Sequence, residues 1–344
     1  MCGPRKSRLR PAASRSAERF VTERLLDNEF DLIARYFSRP APAGMLGVGD
    51  DCALLPIAPG KQLATSTDML LEGRHFFSDA DAQALGHKAL AVNLSDLAAM
   101  GARPVACVLG LALPRVDHDW LAAFSDGFYA LAEASGCVLV GGDTTRGLGG
   151  ISISVTVFGE VAAAQALRRD AAQAGDDIWV TGCLGAAAIA LQLLDGTLEP
   201  QPSLLAATRH ALERPEPPMA FAQSLAGLAH AAVDISDGLV QDLGHILKAS
   251  HCAAELDYAA LPVCADLAGL PAKVLQTAVL AGGDVYQLCF TAPAKQREAI
   301  SQRARRHGVS VSRVGCIVAG SSIVIRDADG KPMVAEQTGF NHFS

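Results

Sequence analysis

The sequence predicts an α/β (α+β) protein built as two domains, on three observations. Its 344 residues exceed what one hydrophobic core usually organises, so two units are the default. Half of the residues are apolar and only 19% are charged, a balance that suits a well-buried globular chain and not a disordered one. Along most of the chain, short apolar or alternating runs take turns with runs at helical spacing.

The elements follow in order. Asn28 is a candidate N-cap for a helix in which Phe30, Ile33 and Phe37 share one face. Residues 62–67 form an expected strand that ends in polar residues. Residues 82–100 read as a long helix stopped by Gly101 and followed by Pro104. A strand over 105–113, a helix over 119–134 and a short buried strand over 138–140 come next. Residues 151–158 alternate apolar side chains with Ser and Thr, as a half-exposed strand does. The stretch 160–175 is weakly patterned and holds the expected boundary between one domain of residues 28–165 and another of 170–344. In the second domain, strands are expected over 178–181, 231–235 and 285–290, and helices over 186–194, 239–249 and 294–305. A Pro-rich loop is expected at 215–218. Residues 1–27 carry seven Lys or Arg but no apolar stretch of the kind a signal peptide needs, and are expected to be a disordered leader.

A net charge of −7 argues against a nucleic-acid partner, which calls for a basic excess or stripe. No run approaches the roughly 20 apolar residues of a membrane span, so no membrane role is expected. Nine cysteines are scattered from Cys2 to Cys316 with neither Cys-x-x-Cys nor zinc spacing. They read as buried reduced thiols, hence a reducing, cytoplasmic setting.

The chemistry lies in a repeated pattern: acidic residues that close apolar runs and are flanked by Gly, Ser or Thr. They occur in GVGDD (47–51), STD (66–68), NLSD (93–96), GGDTT (141–145) and DISDG (234–238). One Asp after Gly is usually a turn residue, but five such sets suggest a site, because α/β folds place ligands where strands give way to loops. Clustered carboxylates raise one another's pKa unless cations hold them ionised, and Mg²⁺, bound through carboxylates plus substrate phosphates, resolves that repulsion. Asp96 falls amid Ala, Leu and Met in an expected helix, a poor place for an unpaired charge, and a metal is its best partner. Gly141 and Gly142 would let the backbone approach a phosphate, and Asp237-Gly238 opens a helix whose N-terminus favours anions. There is no G-x-x-x-x-G-K-[ST] and no G-x-G-x-x-G between a strand and a helix. An ATP site here would rest on metals, Gly-rich loops and Arg169 instead.

In order and spacing, GVGDD (47–51), STD (66–68), NLSDLAAMG (93–101), GGDTTR (141–146), DISDGL (234–239), residues 282–290 and GFNHF (339–343) resemble the thiamine-monophosphate kinase family. That family falls in a superfamily of ATP-using enzymes that includes aminoimidazole ribonucleotide synthetase. The resemblance runs from Asn28 to the C-terminus. It implies a two-domain aminoimidazole ribonucleotide synthetase-like fold, a homodimer joined by a barrel-like pairing of N-terminal domains, and an active site in the cleft between domains. It implies ATP as co-substrate, thiamine monophosphate as acceptor and several Mg²⁺ ions. By position, Asp51, Ser66, Thr67, Asp68, Asp96, Asp143, Asp234 and Asp237 resemble magnesium ligands. Gly142, Asp143, Arg169 and Ser236 resemble ATP contacts, and His75, Asp284 and Phe340 resemble thiamine-phosphate contacts. Direct transfer without a phosphoenzyme is also implied. The residues agree, since no Ser or His nucleophile stands beside a base, and the acceptor phosphate oxygen is already anionic.

Other readings are another ATP-using enzyme of the superfamily and a catalytically silent binder of ATP or thiamine phosphates. A selenophosphate synthetase would need a reactive Cys with a nearby Lys, which Cys2 and Lys6 match only superficially. A hydrogenase-maturation relative would end near a cysteine, whereas this chain ends Asn341-His342-Phe343-Ser344. The sequence departs from the family at one place. Where members read Gly-Gly-Glu-Asp-Tyr-Glu-Leu, this chain has Gly282-Gly283-Asp284-Val285-Tyr286-Gln287-Leu288. A strand there would put Asp284 and Tyr286 on one face and Val285 and Gln287 on the other, so that Asp284 alone among the altered positions meets the acceptor.

Overall fold

The computed structural model describes residues 29–48, 52–334, 339 and 340. The expected leader and the Asn28 cap lie outside them. A short helix α1 (Glu29–Leu32) runs into a wider turn (Ile33–Phe37) that buries Tyr36 and Phe37. The first sheet then uses β1 (Lys61–Leu71), β2 (Arg103–Leu113), β3 (Val138–Arg146) and β4 (Ser152–Ala162) in the order β1-β4-β2-β3. Only β2 and β3 pair in parallel, which fits the crossover between them through helix α3 (His118–Ser135). Helix α2 (Ala82–Ala99) and α3 cover one face of this sheet.

The second sheet takes all its strands from after residue 175. They are β5 (Asp176–Thr181), β6 (Ala231–Asp234), β7 (Ala253–Asp257), β8 (Leu288–Pro293), β9 (Val311–Val318), β10 (Ile323–Arg326) and β11 (Pro332–Met333), in the order β11-β10-β7-β9-β5-β8-β6. Helices α4 (Ala186–Leu194), α5 (Pro202–Glu213), α6 (Met219–Ser224), α7 (Leu239–Ser250), α8 (Ala272–Ala281) and α9 (Arg297–His307) complete this part.

Helix α2 joins the two halves. It contacts β1, β2 and β4 of the first sheet, but also β6, α5 and α6. That double embrace explains why it is apolar all round: a helix buried on every side has no solvated face to alternate with. It crosses α3 closely at two glycines. A Cβ on Gly86 would stand 2.0 Å from the Phe124 carbonyl oxygen, and one on Gly127 would stand 1.8 Å from that of Gln83.

Three expectations need correction. Strands expected over 62–67 and 138–140 run on to Leu71 and Arg146, so Asp68 and Asp143 lie inside strands and not in loops. Residues 285–287 are not strand, and β8 starts at Leu288. Asp284 and Tyr286 both have left-handed backbone, with φ of 58° and 51°. The nine thiols are not all reduced. Cys183 and Cys264 form a disulfide, because the backbone pairs their segments: Leu184 N–H donates to the Pro262 carbonyl at 2.7 Å, and Cys264 N–H to that of Leu184 at 3.2 Å. A separation of 81 residues hides that juxtaposition from any spacing rule. Cys52 is exposed, whereas Cys107, Cys137, Cys252 and Cys289 are buried and free, as expected. Among the described residues no helix is long and apolar enough to cross a membrane.

Candidate active site

Three carboxylates from three different elements meet beside α2. Asp68 comes from β1, Asp96 from α2 itself and Asp234 from the end of β6. The NLSD string of α2 does the tethering, residue by residue. The Asn93 side-chain oxygen accepts the Asp68 N–H at 2.9 Å while its amide donates to the Ala89 carbonyl at 3.0 Å. The fully buried Ser95 donates to Asp234 Oδ2 at 2.8 Å. Asp96 Oδ2 accepts the Ser66 hydroxyl. One helix turn therefore fixes a strand from each sheet relative to the other.

The electrostatics follow from that crowding. Burial, helped by the Asp96 charge, pushes Asp68 up to about 6. Burial and the same neighbour push Asp234 up to about 7, against the Ser95 hydrogen bond. Burial also raises Asp96, opposed by the Ser66 hydroxyl and the positive charge of Arg169. Arg169 stands exposed in a short turn (Arg169–Ala171). Its field opposes the rise at both Asp96 and Asp234. Hard oxygen donors that resist ionisation until a cation arrives are a good fit to Mg²⁺. Among the described residues no three acidic, His or Cys side chains converge closely enough to hold a metal alone.

These carboxylates line one cleft of about 1360 Å³. Thr67, Ser236, Asp237, His75, Asp284 and Phe340 line it too, as do the apolar Phe76, Phe77, Leu85, Leu191 and Leu212. His75 Nδ1 accepts the Leu71 N–H at 3.0 Å, which places the proton of the neutral ring on Nε2 and makes that atom a donor. Phe340 is held by its own N–H, which donates to the Asp237 carbonyl at 3.0 Å, and by Gln241, whose amide donates to the Phe340 carbonyl at 2.9 Å. The Arg74 guanidinium lies 4.6 Å from the Phe340 ring centre, a cation–π distance.

The segment after α8 keeps its expected partition for a different reason. Asp284 and Tyr286 N–H groups donate to the Ser236 and Ile235 carbonyls, each at 2.8 Å. Between them Val285 packs on the core of the second sheet. Gln287 turns away to accept from Thr181 Oγ1 at 2.7 Å and donate to the Glu216 carbonyl at 3.1 Å. Asp284 and Tyr286 line the cleft, whereas Val285 and Gln287 do not.

Of the other expected residues, Gly142, Asp143 and Arg169 do not line this cleft. Asp51 lies outside the described residues. Asp143 is exposed on β3, an edge strand, and β1 with Asp68 is the opposite edge. Three strand spacings of about 4.8 Å separate those edges by about 14 Å. Gly142 is on the same edge strand, and its glycine has a packing cause: at φ +154°, a Cβ would stand 1.9 Å from the Leu109 carbonyl oxygen. The Asp237 and Gly238 N–H groups at the start of α7 are also committed, each donating to Asp242 Oδ2 at 3.0 Å. Burial pushes that carboxyl up to about 7.

Sequence reasoning missed Lys88 and Asp242, and placed Tyr286 on the Asp284 face without giving it a partner. Lys88 is 5% exposed, and its Nζ lies 2.7 Å from Asp284 Oδ1. The Tyr286 hydroxyl donates to the same Oδ1 at 3.3 Å. A signal for Lys88 existed, since it is a lone cation in an apolar helix, one turn before Val92 and two before Asp96.

Comparison with known proteins bears on this site. Residues 49–161 match the AIR synthase related protein, N-terminal domain, and residues 173–328 match the AIR synthase related protein, C-terminal domain. The thiamine-monophosphate kinase of Escherichia coli K12 is 43% identical over 324 residues, covering 92% of this chain and 98% of that protein. That of Bacillus subtilis is 33% identical over 324 residues, covering 92% and 99%. Among solved structures, thiamine-monophosphate kinase from Stenotrophomonas maltophilia K279a superposes with a TM-score of 0.78 at 44% identity, covering 88% of this chain and 95% of that one. AaThiL complexed with AMPPCP and TMP superposes with a TM-score of 0.73 at 29% identity, covering 84% and 89%. The hydrogenase maturation protein HypE, at 21% identity and a TM-score of 0.70, shares the fold.

Proposed function

The chain belongs to the thiamine-monophosphate kinase family of AIR synthase related proteins, and from that premise we propose that it transfers the γ-phosphoryl group of ATP directly to the phosphate of thiamine monophosphate, making thiamine diphosphate. The observation that carries this reading is the meeting of Asp68, Asp96 and Asp234 in a cleft that also has apolar and aromatic walls. The AMPPCP and TMP bound to AaThiL support the same pair of ligands here, since AMPPCP is a non-hydrolysable analogue of ATP.

Asp68, Asp96 and Asp234 would hold magnesium, with Ser66 beside Asp96 and Asp237 on the cleft wall as further oxygen donors; the Thr67 hydroxyl pairs with that of Thr156 at 2.7 Å on the other face of β1, and Asp51 lies outside the described residues. Magnesium supplies neutralisation of the donor and acceptor phosphate oxygens, which would otherwise repel each other and the carboxylates. The chain supplies position. Arg169 and Ser236 face the nucleotide, and the His75 Nε2–H, Asp284 and the Phe340 ring face the acceptor. No side chain has to take a proton from the nucleophile, because a phosphate oxygen is anionic near neutral pH. Orientation and electrostatics carry the rate.

Asp143 fits this scheme through a second copy of the chain. The uncovered face of the first sheet carries Leu63, Met69 and Leu71, and Met69 is 56% exposed. Both edges of that sheet, β1 and β3, lack a neighbour among the described residues. Closing two such sheets about a two-fold axis would cover the apolar face and set β3 of one protomer beside β1 of the other. Asp143 and Gly142 would then serve the partner's nucleotide.

The direct test is ADP release from ATP and magnesium with thiamine monophosphate, thiamine or an aminoimidazole precursor as acceptor. Release that depends on thiamine monophosphate alone is expected. Release that is indifferent to the acceptor, or driven by the aminoimidazole precursor, would refute the reading.

A further inference from the structure

Helix α2 lays out the cleft like a ruler. Leu85, Lys88, Val92 and Asp96 all line it. At about 1.5 Å of rise per residue, Lys88 lies about 5 Å along the axis from Leu85 and about 12 Å from Asp96. Leu85 belongs to the apolar wall and Asp96 to the carboxylate group, so Lys88 stands between the place for an aromatic body and the place for polyphosphate. It is the buried cation among the cleft residues described here, at 5% exposure. Its ammonium is held by Asp284 at 2.7 Å, and Asp284 in turn accepts the Tyr286 hydroxyl at 3.3 Å.

A buried ammonium held by a carboxylate that is still 29% exposed is costly to maintain and is not needed for packing; an apolar residue of Lys88's volume would fill the same space more cheaply. An ammonium fixed there has a use when an anion arrives. We propose that Lys88 binds the phosphate of the acceptor and thereby selects phosphorylated thiamine over thiamine, with Asp284 as the residue that positions the ammonium. This rests on the kinase reading above and deepens it. Asp284 then reaches the acceptor's cationic ring side while its Oδ1 aims Lys88 at the phosphate side. The pair matches the charge order of a molecule that carries a fixed cation at one point and a phosphate at another.

Calorimetric titration of the full-length protein with thiamine monophosphate and, separately, with thiamine, both in the presence of magnesium and AMPPCP, separates this role from a structural one. Three proteins are compared: wild type, Lys88→Met, and Lys88→Met with Asp284→Asn. The wild type should bind thiamine monophosphate more tightly than thiamine. Lys88→Met should lose at least about tenfold in affinity for thiamine monophosphate, as expected for a charge-assisted contact, with thiamine affinity changing by less than about threefold. The double variant leaves no unpaired buried charge, so it should keep its structure and still fail to prefer the phosphate. If the double variant regains that preference, or if Lys88→Met weakens both ligands equally, Lys88 merely balances Asp284 and the proposal is wrong. A wild-type protein that shows the binding preference but releases no ADP would instead refute the kinase reading, leaving the phosphate site to the titration.

Discussion

Asp234, with its carboxyl pushed up to about 7, resists ionisation near neutrality unless a cation displaces its proton. Asp68, pushed up to about 6, behaves the same way one unit lower. In the metal-free protein both values stand above the ordinary 3.8. The folded chain therefore keeps protons that the unfolded chain releases. The stability this contributes is fully present below about pH 4 and is lost as pH rises through 6 and 7. A bound cation removes the penalty, so the rise in Tm produced by magnesium with AMPPCP should be larger at pH 8 than at pH 5. Scanning fluorimetry across that range checks it, and an increment that shrinks with pH would contradict the assignment of these carboxylates to a metal. Asp96→Asn removes one of the ionised groups and should lower kcat at least about 100-fold, the scale of one lost preorganised charge. Steady-state ADP release measures this, and turnover near wild type would sink the metal reading. All three acids were visible in the sequence, because Gly, Ser and Thr beside an acid is a local signal. Lys88 left only the signal of a lone cation in an apolar helix, and its role comes from Asp284, which is 196 positions away in the sequence.

At the scale of elements, α2 decides the site, and its placement depends on how closely α3 approaches. Gly127→Ala would drive a methyl into the Gln83 carbonyl, 1.8 Å from the ideal Cβ. The helices would have to part, at a cost of about 1–3 kcal/mol in unfolding free energy, and kcat should fall with it. Gly244→Ala in α7 is the matched control, since nothing lies within 4 Å of its Cβ position. It should be neutral or stabilise by about 0.5–1 kcal/mol, as Gly to Ala does in an open helix. Urea denaturation of the two variants compares them, and equal effects would show that the crossing is not tight. The sequence reading found α2 within a residue at either end, because an 18-residue helix bounded by Gly101 and Pro104 is a strong pattern. It did not find β7, β9, β10 or β11. β7, β10 and β11 are short, with five, four and two residues, and β9, with eight, is a half-buried run without a clean period.

For the whole molecule, the proposed two-fold dimer would both cover the open face of the first sheet and bring Asp143 to a site. Light-scattering chromatography should give about 72 kDa, twice the 35.8 kDa chain. A monomer that turns over at micromolar concentration would contradict it. Complementation tests the role of Asp143 more sharply. If Asp143 serves the partner's site, unfolding and refolding Asp96→Asn and Asp143→Asn proteins together should create heterodimers with one intact site each. An equal mixture would then recover about a quarter of wild-type activity. No recovery from two inactive parents would mean that Asp143 acts within its own chain, and an Asp143→Asn protein as active as wild type would mean that it does not act at all.

The sequence by itself determined the family, the alternation of strands and helices, and the identity of the carboxylates. Each of these is written in local pattern: hydrophobic period, a Gly or Pro boundary, an acid flanked by small polar residues. Tertiary structure alone decided which of the acids meet. Asp68, Asp96 and Asp234 share a cleft because Asn93, Ser95 and Asp96 on one buried helix reach into both sheets, while Asp143, with an equally persuasive motif, stands on the far edge of its sheet. Structure also decided the Cys183–Cys264 bridge and the pairing of Lys88 with Asp284. The physical reason is the same in every case. A residue's chemistry and its local backbone preference act over a few neighbours, whereas distance between residues far apart in the chain is set by how whole elements pack.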